Sequence, residues 1–186
     1  MPFIPTTFPG MIIFEPAVFE DSRGHFYESY NERLFHENGI NIRFVQDNQS
    51  RSSYGVIRGL HYQRPPYAQT KLIRVLSGAV IDAVVDLRTG SPTFGQSFSL
   101  ELSAGNKKQL LVPKGFAHGF SVISETAEVL YKCDAYYSRE SERGIIYNDT
   151  VLNIDWQIPA NKAVVSEKDK LLPLFNDYAG EFLFIS

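Results

Sequence analysis

The sequence predicts an all-β fold, a barrel or sandwich with a few short helices, and three observations carry that expectation. Short apolar or alternating runs recur at close spacing, glycine and proline punctuate them, and only one early stretch has both a helical start and a helical stop. Ser97–Ser103 alternates strictly between polar and apolar residues, as a half-buried strand does, and ends at Ala104-Gly105-Asn106. Residues 72–76 and 79–87 are apolar runs joined by Ser77-Gly78, which reads as a hairpin with glycine at its corner. Residues 108–112, 116–123 and 127–137 supply further strands. The early helix spans 31–38: Asn31 or Ser29 can cap it, and Gly39 sits where it would stop. Ser166-Glu167-Lys168-Asp169 can open one further helical turn.

A chain of 186 residues with 44% apolar and 21% charged residues is one domain's worth, and a single domain over 1–186 is expected, with no internal repeat or linker. The net charge of -3 argues against general affinity for nucleic acid, although a few clustered arginines can still hold a phosphate. No run approaches the length of a membrane-spanning helix, and Met1-Pro2-Phe3-Ile4-Pro5 lacks the basic leader of a secretory signal. The one cysteine, Cys133, has no internal disulfide partner. No membrane association and a cytoplasmic location are the expectation.

Among the four histidines, His36 lies beside charged neighbours in the helix and reads as solvated. His118 sits in Pro113-Lys114-Gly115-Phe116-Ala117-His118, which has the Pro-x-Gly-x-x-His form of the second cupin motif. The first cupin motif would bring His-x-His and then Glu. Here the segment is His61-Tyr62-Gln63, with Lys71 downstream. Two histidines are too few for the three or four ligands of a metal site, and an ammonium repels a cation. The expectation is a metal-free barrel without a cofactor, in which lysine takes over the electrophilic work. Each group also has a plain explanation: His61 as a satisfied interior histidine, Lys71 as an edge residue, Tyr131 as core beside Val129 and Cys133, and Arg23 as a turn arginine.

Their joint occurrence, in order, carries more. Asp21-Ser22-Arg23-Gly24, Gln46-Asp47-Asn48-Gln49-Ser50, Ile57-Arg58-Gly59-Leu60-His61-Tyr62-Gln63, Lys71-Leu72, Ser91-Pro92-Thr93-Phe94-Gly95-Gln96, Tyr131-Lys132, Glu142-Arg143-Gly144 and Ser166-Glu167-Lys168-Asp169 follow one another. Over about residues 10 to 175 this resembles the dTDP-4-dehydrorhamnose 3,5-epimerases, cupin-type jelly-roll enzymes that use no metal.

The resemblance implies roles for the matched positions. His61 would be the base, paired with Asp169; Tyr131 would deliver a proton from the opposite face; Lys71 would sit by the carbonyl oxygen. Arg23, Arg58 and Lys168 would meet the pyrophosphate. Glu28, Gln46, Asn48, His118 and Glu142 would help hold sugar or nucleotide, with Tyr137 stacked on thymine. It further implies a dTDP-sugar substrate and a homodimer in which the region of Arg23 and Glu28 reaches the neighbouring subunit's site. His25, Tyr67 and Tyr147 depart from the family pattern, where Phe, His and Trp respectively are expected. A single-carbon epimerase, a ketoisomerase, a non-catalytic sugar-nucleotide-binding cupin and a metal-dependent cupin are the alternatives.

The implied chemistry suits these side chains. A ketone at C4 of the sugar acidifies the hydrogens at C3 and C5, so inversion needs a base on one face, an acid on the other and a cation at the enolate oxygen. Imidazole titrates near about 6.5 and phenol near about 10, which sorts base from acid at neutral pH. One conflict stands: a regular strand puts His61 and Gln63 on one face and Arg58 on the other. Both reach one ligand only if the strand is interrupted, and Gly59 is where a bulge would sit.

Overall fold

In the computed structural model, which describes residues 2–185, the chain folds into two antiparallel sheets that face each other as a jelly roll. The first sheet runs Phe3–Pro5, Ile12–Phe14, Gln109–Val112, Lys71–Ser77, Thr126–Cys133 and Gln46–Ser53 in spatial order. The second runs Ser97–Ser103, Ala79–Asp86, Phe116–Val122, Val56–Gln63 and Glu142–Gly144, with Val164–Val165 added in parallel to Val56–Gln63. The inward apolar residues of both sheets, among them Ile73, Val75, Val84, Leu110, Phe120 and Val129, form one shared core.

One expected connection is corrected. Lys71–Ser77 and Ala79–Asp86 do not form a hairpin; they lie in different sheets, and Gly78 is the corner between them. Gly78 has φ of 75°, and a Cβ there would run into the Thr126 carbonyl and Ser124 Oγ. A hairpin turn and a sheet-to-sheet corner call for the same small residue, so local sequence does not separate them. The strand expected over 127–137 also stops at Cys133. Asp134 accepts the Thr70 N–H at 2.7 Å and pairs with Lys114, which turns the chain out of the sheet.

The Val56–Gln63 strand contains the interruption that the shared pocket needs. Opposite it, His118 pairs with His61 but Phe120 pairs with Arg58, so Gly59 and Leu60 on one strand lie opposite Gly119 alone on the other. The phase shifts at Gly59-Leu60: Ile57, Leu60 and Tyr62 join the outer apolar cluster, while Arg58 and His61 both line the interior. Gly59, at φ of 122°, could not carry a side chain, since a Cβ would lie 2.5 Å from the Gly119 Cα.

The helix spans Glu32–Glu37, capped by Asn31, whose side chain accepts from the Leu34 N–H. It sets Phe35 against Phe14 and covers the outer face of the first sheet. Near the C-terminus, Ser166 Oγ accepts from the Asp169 N–H at 3.1 Å and starts the turn Glu167–Lys170. Because Val164–Val165 is hydrogen-bonded along Val56-Ile57, this turn is held against the bulged strand.

Candidate active site

A cavity of about 560 Å³ opens between the sheets, and nine of the expected site residues line it: Arg58, His61, Lys71, His118, Tyr131, Tyr137, Glu142, Lys168 and Asp169. His61 Nε2 lies 2.7 Å from Asp169 Oδ1, the imidazole 29% exposed and the carboxylate 6%. Burial disfavours the Asp169 charge, but hydrogen bonds from His61, the Gly59 N–H and Ser166 outweigh it and hold the carboxyl below its usual range. An ionised carboxylate only accepts, so His61 carries its proton on Nε2 and its basic atom is Nδ1.

Lys71 and Tyr131 stand on the other sheet, in diagonal register: Lys71 faces Cys133 and Tyr131 faces Ile73. The Lys71 ammonium lies 5.8 Å from the Tyr131 ring centroid. It forms no ion pair among the described residues, unlike Lys108, Lys114, Lys132, Lys168 and Lys170. Burial pushes the Lys71 pKa down, against the opposing pull of Cys133, Asp82 and Glu142. Burial pushes Tyr131 up, so its phenol stays protonated at neutral pH. The arrangement therefore sets a base on one wall against an acid and a cation on the other.

His118 has its own carboxylate: Nε2 is 2.9 Å from Asp82 Oδ2, with both side chains buried. Asp82 is a residue that sequence reading missed, although a charge inside the apolar run Val80-Ile81-Asp82-Ala83-Val84 was a visible signal. At another part of the lining, Glu142 Oε2 accepts from the Tyr137 hydroxyl at 2.9 Å and from Lys168 Nζ at 2.5 Å. Burial works against the Glu142 charge, but these two donors keep its pKa low. The Tyr137 ring is 55% exposed and open to stacking. Arg58 Nε donates to Ser52 Oγ, which orients the guanidinium.

Four expected residues do not line the cavity. Gln46 and Asn48 stand beside it, hydrogen-bonded to each other, with Gln46 also accepting the Tyr137 N–H. Arg23 lies on the exposed hairpin formed by Phe19–Asp21 and Gly24–Phe26, paired with Asp21, its side chain 87% exposed. Glu28 is exposed and accepts from Asn31. The departures His25, Tyr67 and Tyr147 are likewise absent from the lining. Among the described residues no group of three or more His, Cys, Asp or Glu is arranged to hold a metal ion. No helix among them is long and apolar enough to cross a membrane.

Comparison with known proteins converges on one family. The dTDP-4-dehydrorhamnose 3,5-epimerase profile matches residues 5–177. The dTDP-4-dehydrorhamnose 3,5-epimerase of Pseudomonas aeruginosa is 54% identical over 170 residues, 91% of this chain and 93% of that protein. The solved dTDP-6-deoxy-D-glucose-3,5-epimerase of Legionella pneumophila, in complex with dTDP-4-keto-L-rhamnose, is 46% identical with a TM-score of 0.94, covering 99% of this chain and 98% of that one. The Bacillus anthracis dTDP-4-dehydrorhamnose 3,5-epimerase, solved with TDP and PPi bound, is 48% identical with a TM-score of 0.90, covering 93% and 98%. With sequence, fold and family profile in agreement over nearly the whole chain, this protein belongs to the dTDP-4-dehydrorhamnose 3,5-epimerase family.

Proposed function

We propose that the chain acts as one domain that epimerises C3 and C5 of dTDP-4-dehydro-6-deoxy-D-glucose, giving dTDP-4-dehydro-L-rhamnose in the cytoplasm. The observation that carries this reading is the division of labour between the two walls: His61 on one sheet, held by Asp169 from the adjoining turn, and Lys71 and Tyr131 on the other sheet. His61 removes the proton from the carbon beside the ketone, and the C–H electron pair moves to make an enolate whose oxygen Lys71 stabilises. Tyr131 gives its proton to the opposite face at C5 and solvent gives one at C3, each enolate collapsing to the ketone, while the phenolate takes a proton from solvent and the His61 imidazolium returns its own to solvent. Positioned acid–base groups supply about 10²- to 10⁴-fold each, and a fixed donor at the oxyanion about 10²- to 10³-fold.

Proton NMR of the keto sugar nucleotide in deuterated buffer tests the reading. Deuterium entering at both C3 and C5 supports it, and no entry at either carbon rejects it. Tyr131→Phe should impair the C5 event more than the C3 event.

The residues outside the cavity fit a homodimer. Phe19 and Phe26, 67% and 69% exposed, flank Arg23 on a hairpin that contacts little of its own chain. We place that hairpin and Glu28 against the neighbouring subunit's cavity, where Arg23 adds a cation for the diphosphate. Sedimentation equilibrium of Phe19→Asp should show a shift toward monomer together with a raised KM.

A further inference from the structure

The roles above leave Ser50 unused, and its surroundings are unusual. Gln46, Asn48, Ser50 and Ser52 form the inward row of the edge strand, alternating with the exposed Asp47, Gln49, Arg51 and Ser53. Three of the four are engaged: Gln46 with Asn48 and the Tyr137 N–H, Asn48 with the Cys133 sulfur, Ser52 with Arg58 Nε. Ser50 lines the cavity, yet its Oγ is buried without a hydrogen-bond partner among the described residues. Its cross-strand neighbour is Val129, whose side chain has no polar atom. An unmatched buried hydroxyl costs stability, so its retention calls for a partner that arrives from outside.

The position indicates what arrives. Ser50 is one same-face step from Ser52, which holds Arg58, and one from Asn48, which faces Tyr131. Same-face residues on a strand are about 6.7 Å apart, within the span of a diphosphate. Arg58 can only donate, and a serine hydroxyl beside it finds its best match in the same acceptor-rich anion.

We propose that Ser50 is a substrate-binding residue whose hydroxyl donates to a diphosphate oxygen held by Arg58, where the diphosphate joins the sugar. This rests on the sugar-nucleotide reading above. It assigns the two serines different tasks: Ser52 orients the guanidinium and Ser50 touches the ligand.

Calorimetric titration of wild type and Ser50→Ala with dTDP and with thymidine, alongside thermal melts, tests it. Ser50→Ala should raise the dTDP Kd about tenfold, as loss of a hydrogen bond to a charged group does. The thymidine Kd should stay the same and Tm should be equal or higher. An unchanged dTDP Kd overturns the proposal. So does a parallel loss for thymidine or a lowered Tm, either of which marks Ser50 as a structural residue. Wild type that does not bind dTDP overturns the sugar-nucleotide reading instead, which keeps the two failures distinct.

Discussion

His61 and His118 face each other on adjacent strands, and each meets a carboxylate, at 2.7 Å and 2.9 Å. Their surroundings part from there. His61 is 29% exposed to the cavity, and its Asp169 comes from a separate capped turn that also receives the Gly59 N–H. His118 is 7% exposed, and Asp82, wholly buried, has its Oδ1 unpartnered among the described residues. The first pair has an accessible ring and a carboxylate whose charge is satisfied from several sides, as a proton carrier requires. The second lies deeper in the cavity wall, and its negative charge supports the Lys71 ammonium against burial. An imidazole–carboxylate contact alone therefore does not mark a base; access to the ring and satisfaction of the carboxylate do.

The sharpest way to break this comparison is to exchange the two imidazoles' fates. His61→Ala should lower kcat by about 10²- to 10⁴-fold and stop deuterium entry at both carbons, with a lower melt because the buried Asp169 carboxylate loses a hydrogen-bond donor. His118→Asn should retain deuterium entry and lose chiefly in KM; equal loss of entry in both variants would erase the distinction. Next in size, Lys71→Met should lower kcat by about 10²- to 10³-fold.

The same Lys71→Met variant should melt at a higher temperature than wild type at pH 7. Burial lowers the Lys71 pKa in the fold, so its charged form is a destabilising presence below that pKa. Wild type recovers that stability as pH rises from the folded value toward the unfolded one near about 10.4, and the variant should lack this alkaline rise. Asp82→Asn should be milder, no more than about tenfold in kcat/KM, with the alkaline limb of the rate profile moved to lower pH as Lys71 loses its counter-charge. The smallest effect is at acid pH. Asp169 has a lowered pKa in the fold, so its stabilisation is complete above the unfolded value near about 3.9 and is lost as pH falls through the folded value. In acid melts Asp169→Asn should therefore fall less steeply than wild type.

The same contrast separates what could be read from the sequence from what could not. Ser97–Ser103 showed its alternation directly because one face is core and the other is wet. Gln46–Ser53 did not read as a strand: its residues favour turns, and it is held by pairing with Thr126–Cys133 and by a cavity-facing row that is polar. His61 with Asp169 rested on family likeness, since the two are 108 residues apart and meet only through the parallel Val164–Val165 strand. Asp82 was overlooked because its partner His118 is likewise distant in sequence, 36 residues away. The bulge at Gly59 could be expected from an apparent conflict of faces, whereas the corner at Gly78 was mistaken for a hairpin.

That bulge gives the Val56–Gln63 segment a skipped beat. A saturation scan along it should find tolerance to polar residues alternating up to Arg58, then resuming out of step from His61. Deleting Gly59 would restore an even rhythm that still keeps Arg58 and His61 on the inner face, so a segment shortened by one residue should leave the imidazole toward the cavity, whereas Gly59→Val, whose Cβ would meet the Gly119 backbone, should abolish turnover.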